Sequence, residues 1–144
     1  MRLWDYAVMA WEKPDVASLC VDLQDRSGQC VAVLLWRAWA AGEKRSVDGA
    51  SLARALELAR AWEGELLQPL RRARRSGLAD PALAAAIRAD ELDAEHRLLD
   101  VLEDLTPPSS GDSHDLMHTL TETMAAWNEA QPEDAVRRLA ERLV

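Results

Sequence analysis

The sequence predicts an all-α protein, a single-domain helical bundle of six or seven helices, on three observations. Alanine, leucine and arginine are abundant, while β-branched residues are sparse and never form alternating runs. Apolar residues recur at spacings of three and four along most of the chain. Residues 30–41 are apolar at every position but Arg37. A helix that is apolar nearly all round belongs in the middle of a bundle, covered by its neighbours. It is also too short to cross a bilayer, which takes roughly 20 residues.

The elements follow in order. Residues 3–12 read as a first short helix, with Leu3, Ala7 and Trp11 on one side and Trp4 and Val8 beside them. Lys13-Pro14 ends it, because the residue before a proline is pushed out of the helical region. Pro14 then suits the first turn of a second helix, whose stripe is Val16, Leu19, Cys20 and Leu23 and which stops at Ser27-Gly28. The central helix comes next, then a polar linker over residues 42–48. A long helix is expected over residues 49–75, with Leu52, Leu56, Ala59, Trp62, Leu66 and Leu70 inward. Pro69 lies inside it and should kink it near Glu65, by removing one backbone bond and crowding the preceding turn.

Asp80-Pro81 is an N-cap followed by a first-turn proline. The helix over residues 81–105 carries Leu83, Ile87, Ala94, Leu98, Val101, Leu102 and Leu105 inward and an acidic face outward. Residues 106–112 are low in complexity and read as a mobile loop. Residues 113–144 then form a C-terminal helical hairpin packed on the bundle. Its first helix is capped by Asp112 or Ser113 and striped by Leu116, Leu120, Met124 and Trp127. Gln131-Pro132 separates it from a last helix bearing Val136, Leu139 and Leu143.

Composition narrows the function. The chain has 144 residues, 49% apolar and 29% charged, enough to bury one core and too apolar for wholesale disorder. A net charge of -8 disfavours nucleic acid and anionic membrane surfaces, both of which need a cationic face. The N-terminus has no apolar signal core behind a basic start, so a cytoplasmic protein is expected. Cys20 and Cys30 fit that compartment as buried free thiols.

Several residues could carry chemistry. His114, His118 and Glu122, spaced four apart, would share one helix face, and Asp115-x-x-His118 and Asp93-x-x-His96 mimic helical metal pairs. His114 follows a loop and His118 sits at the margin of its stripe, so no metal and no cofactor is expected. No histidine lies near the cysteines in sequence, and there is no Gly-rich phosphate loop, so no catalytic residue is assigned. Asp25 and Arg37 flank a tight turn, close enough for an ion pair or the polar wall of a pocket. Trp36 and Trp39 share one side of the central helix, and Trp4, Trp11 and Trp62 can pack near them, as a tryptophan-rich core or as an aromatic groove for a partner helix or small apolar ligand. Arg71, Arg72, Arg74 and Arg75 complement the negative end of their helix and can meet the acidic face that follows.

The first half of the chain resembles the domain of unknown function 2390 family, uncharacterised proteobacterial proteins. The resemblance rests on Trp4-Asp5-Tyr6-Ala7, Pro14-x-Val16-Ala17, Cys20-x-x-Leu23-Gln24-Asp25-x-x-Gly28-x-x-Val31 and Leu34-Leu35-Trp36-x-x-Trp39. Trp62-x-x-x-Leu66-x-x-Pro69-Leu70-Arg71 continues it. It implies no activity, cofactor or site residue.

The function expected is therefore a non-enzymatic protein-binding or adaptor module, or a homo-oligomer. Residues 54–75 hold six arginines against three glutamates, whereas residues 80–122 hold eleven acids against two arginines. Such faces can meet within one chain or across a dimer. The surface expected to take a ligand or partner comprises Asp25, Arg37, Trp36, Trp39, Trp62, Arg71 and Arg74. The rival expectation is a small-molecule or enzymatic pocket near Asp25, Arg37, Trp36 and Trp39, with a helical metal protein behind it.

Overall fold

The segment apolar on all sides becomes helix α3, Val31–Gly42, with every residue from Val33 to Ala40 buried. Around it the computed structural model, which describes residues 1–77, 79–129 and 132–144, is helical throughout its regular structure. α1 (Leu3–Trp11) and α2 (Val16–Ser27) precede α3. α4 (Gly49–Trp62) runs through a π-helical turn (Glu63–Leu67) into α5 (Gln68–Arg75). α6 (Pro81–Asp104), α7 (Leu116–Trp127) and α8 (Glu133–Leu143) complete the chain. Taking α4, the π-turn and α5 as one rod gives seven helices among the described residues, and no strand is found among them.

α3 packs against α1, α2, α4, α6 and α7, and α8 closes on α2 and α7. Trp36 and Trp39 lie at the centre of this packing, 0% and 1% exposed. A buried indole N–H needs an acceptor. Trp36 Nε1 donates to Thr106 Oγ1 at 2.7 Å, and Trp39 Nε1 to the Met1 carbonyl at 2.9 Å. These bonds tie the chain's first residue and the end of α6 to the central helix. The α2–α3 turn is held from α7: Trp127 Nε1 donates to the Gly28 carbonyl at 2.8 Å and Asn128 Nδ2 to the Ser27 carbonyl at 2.9 Å. Gly28 has φ 62°, a conformation that favours glycine, and a Cβ there would come within 3.3 Å of Asn128 Nδ2, so a side chain would press on the residue that holds this turn.

Local chemistry shifts several expected boundaries. α2 begins at Val16, not Pro14, because Asp15 adopts a left-handed conformation (φ 68°) that interrupts any helix running through it. α7 is capped by Asp115, whose side chain accepts from the His118 amide at 3.1 Å, not by Asp112 or Ser113. Leu83, expected inward, is 47% exposed, since the first turns of α6 extend beyond the core; Ala94, Leu98, Leu99 and Leu102 are its buried residues. Trp11 is 43% exposed, and Ala10 takes the buried place expected for it. Gln131, expected to end a helix, lies outside the described residues.

The long fourth helix is interrupted where Pro69 predicts. Proline offers no N–H to the Glu65 carbonyl, and the rod accommodates this with a π-turn, in which the Gln68 amide bonds the Glu63 carbonyl. The extra residue moves the buried stripe by one position. After Ala59 the buried side chains are Glu63, Leu67 and Arg71, whereas Leu66 is 40% exposed and Trp62 and Leu70 are half-buried. Two charged residues are thereby turned inward.

Candidate functional site

The shifted stripe builds a buried charge cluster. Arg71 Nη1 lies 2.6 Å from Glu63 Oε2, with Nη2 3.4 Å from Oε1. α6 adds two carboxylates: Glu91 Oε1 is 3.6 Å from Arg71 Nε, and Glu95 Oε1 is 3.6 Å from Arg71 Nη2. Arg74 holds Glu91 more closely, at 2.8 and 3.2 Å. Arg71 Nε is buried without a hydrogen-bond acceptor. The Cys30 thiol, at the start of α3, donates to Glu63 Oε1 at 3.7 Å.

These contacts set the protonation states. Burial by itself would lower the Arg71 pKa, but the Glu63 hydrogen bond and charge, with Glu95 and Glu91 behind, carry it above its ordinary value. Burial pushes the Glu95 carboxyl up, against the pull of Arg71. Burial, then the Glu63 charge, pushes the Cys30 thiol far up, and burial puts Cys20 at about 12. Both thiols are therefore poor nucleophiles.

Beside the cluster lies a cleft of about 460 Å³. α1 contributes Trp4, Val8 and Trp11, α3 contributes Val31, Ala32 and Leu35, and α6 contributes Leu92 and Leu99. Glu63, Leu67 and Arg71 line it from the π-turn and α5, and Glu95 and Glu12 add charge. Trp4 is fixed by stacking on His96, ring centroids 4.0 Å apart and planes 9° apart. Gln24, Glu63 and Arg71 also border a second, more polar cavity of about 310 Å³, which includes Asp25, Arg72, Arg75 and Trp127. The larger cleft combines apolar walls with a carboxylate–guanidinium base, and its lining contains no histidine, serine or cysteine.

The residues expected to take a ligand are dispersed. Asp25 pairs with Arg75 at 2.7 Å, in the polar cavity. Arg37 does not meet Asp25: its Nε donates to Thr123 Oγ1 at 3.0 Å, and its Nη2 lies 3.6 Å from Glu122 Oε2, in the α3–α7 seam. Trp36 and Trp39 are sealed in the core, and Trp62 Nε1 donates to the Ala94 carbonyl at 2.8 Å. Only Arg71 of that set lines the cleft, with Arg74 bracing Glu91 behind it. His114 precedes α7, and its Nε2 lies 3.3 Å from Ser46 Oγ. With Glu122 facing Arg37, the three spaced residues do not share a helix face as ligands; no group of three or more His, Cys, Asp or Glu able to hold a metal occurs among the described residues.

Val8, Glu63 and Glu95 were missed as site residues, and Trp4 and Trp11, expected to pack near Trp36 and Trp39, line the cleft instead. A signal existed for α1, which is apolar at every position but Asp5 and so carries apolar side chains beyond its buried face. No such signal marked Glu63, whose charge reads as solvent-facing until Arg71 is placed beside it.

No helix among the described residues is long and apolar enough to cross a membrane. Comparison with curated proteins and with solved structures finds no match. One family model, Protein of unknown function (DUF2390), matches residues 2–102, a span that carries α1 to α5, nearly all of α6 and every wall of the cleft. The chain belongs to that family.

Proposed function

We propose that this protein is a non-catalytic binding module whose working site is the cleft between α1 and α6. One observation carries the reading: a concave space of about 460 Å³ is walled by apolar side chains over a few convergent charged groups, the usual composition of a small-molecule site. The segregated charge that favoured an adaptor has partners inside the chain, since Arg71 and Arg74 face α6 and Arg75 faces Asp25. The buried free cysteines fit a cytoplasmic protein. The packing of α7 on α3 and α8 on α2 fits one domain spanning residues 1–144.

A thermal-shift screen of small metabolites tests this function. At least one should raise the melting temperature of the native chain and fail to raise that of Val8→Trp, which fills the cleft from its rim. A screen in which every stabilising compound acts equally on both chains would refute the cleft as the site.

A protein partner is the second reading, favoured by the exposure of Val8 (42%), Trp11 (43%) and Leu92 (55%) at the same cleft. Concentration-dependent dimers in light scattering, dispersed by Val8→Glu, would replace the first reading with this one.

A further inference from the structure

We propose that the cleft's ligand is a small organic amine, its ammonium group against Glu95 and its apolar body between Trp4 and Trp11. The inference rests on the cleft being a ligand site and adds the chemical class of what enters it. The charge inventory points to a cation. Three carboxylates line the cleft, those of Glu12, Glu63 and Glu95, against the single guanidinium of Arg71. Arg71 is committed to Glu63 at 2.6 Å, and Glu91 is held by Arg74 at 2.8 Å. Glu95 receives only the more distant end of Arg71, at 3.6 Å, beyond ordinary hydrogen-bond length.

A ligand filling the cleft strips water from Glu95, whose side chain is 37% exposed in the empty protein. A neutral ligand would leave that carboxylate dry and short of counter-charge, which is costly. An anion would add repulsion from three carboxylates. An ammonium replaces the lost water and supplies the missing charge in one group. The two indoles line the cleft as apolar walls for the body of the amine. The upward shift of the Glu95 carboxyl, caused by burial, agrees with a site whose compensation is incomplete until it is filled.

The test uses three probes of nearly equal size: phenylpropylamine, phenylpropanol and phenylpropanoate. Calorimetry gives their affinities for the native chain, and the indole N–H signals of the six tryptophans locate them. Four of those indoles donate to protein acceptors, so Trp4 and Trp11 are the reporters of the cleft. The amine should bind about tenfold tighter than the alcohol, the carboxylate weakest, with shifts centred on Trp4 and Trp11. Glu95→Gln should erase the amine's advantage while leaving the alcohol unchanged; if that variant does not fold, the ratio on the native chain decides alone. Equal binding of alcohol and amine, or tightest binding of the carboxylate, would overturn the amine and leave the cleft standing as a site. If no probe moves Trp4 or Trp11, both the amine and the cleft are refuted.

Discussion

Arg37 and Arg71 are equally buried, each 7% exposed, yet their charges are met in opposite ways. Arg37 projects from the central helix into the seam with α7, where a threonine hydroxyl accepts at 3.0 Å and the nearest carboxylate, Glu122, is 51% exposed. Burial lowers its pKa, and Glu122 only partly restores it. Arg71 sits among Glu63, Glu91 and Glu95, and their combined pull outweighs its burial. The difference teaches which arginine carries structure alone. The Arg37 seam offers one hydroxyl and one half-exposed carboxylate and borders neither of the two cavities described above, whereas the Arg71 cluster has surplus negative charge and forms the base of a cleft.

The comparison breaks most directly by replacing each arginine with a side chain of similar length. Arg71→Met leaves Glu63 buried without its main partner, and should cost about 3–5 kcal/mol in urea unfolding. Arg37→Met should cost no more than about 1.5 kcal/mol. The Thr123 hydroxyl keeps its bond to the Thr119 carbonyl at 2.7 Å, and Glu122 stays hydrated. Equal losses would abolish the distinction between the two sites.

A smaller effect sharpens it through pH. The Glu95 carboxyl holds its proton more tightly in the folded chain than in the unfolded one. Its contribution to stability is therefore fully present below the ordinary carboxyl range and is lost as pH rises through the raised folded value. Denaturant midpoints measured across that window should show this decline in the native chain and a flatter profile in Glu95→Gln. A steeper decline in the variant would contradict the assignment.

The smallest expected change is a rate. In the native protein both thiols should be silent to a disulfide exchange reagent except through unfolding, since burial holds each far from its thiolate form. In Arg71→Met, Cys30 should react before Cys20, because Cys30 contacts Glu63 in the disturbed cluster and Cys20 does not. Equal labelling rates would show that the disturbance does not reach α3.

The sequence by itself determined the helical class and the central helix, because one residue type per face at a fixed period is a local property. Cys30 through Ala41 needed no neighbour to be recognised as a core segment, and the cap at Asp80 sits where its side chain predicts. The break at Pro69 was legible for the same reason: a missing N–H is written in the residue. How the rod would accommodate that break was not. A π-turn and a kink both satisfy a proline, and no local pattern encodes which one the rod adopts. Through this segment the buried side chains are Glu63, Leu67 and Arg71, not the expected Trp62, Leu66 and Leu70. Tertiary structure alone also sorted the tryptophans, since an indole at core spacing reads identically whether it is sealed, as Trp36 is, or left facing a cavity, as Trp11 is. Spacing records which face of a helix is apolar; only the arrangement of the other helices decides whether anything covers it.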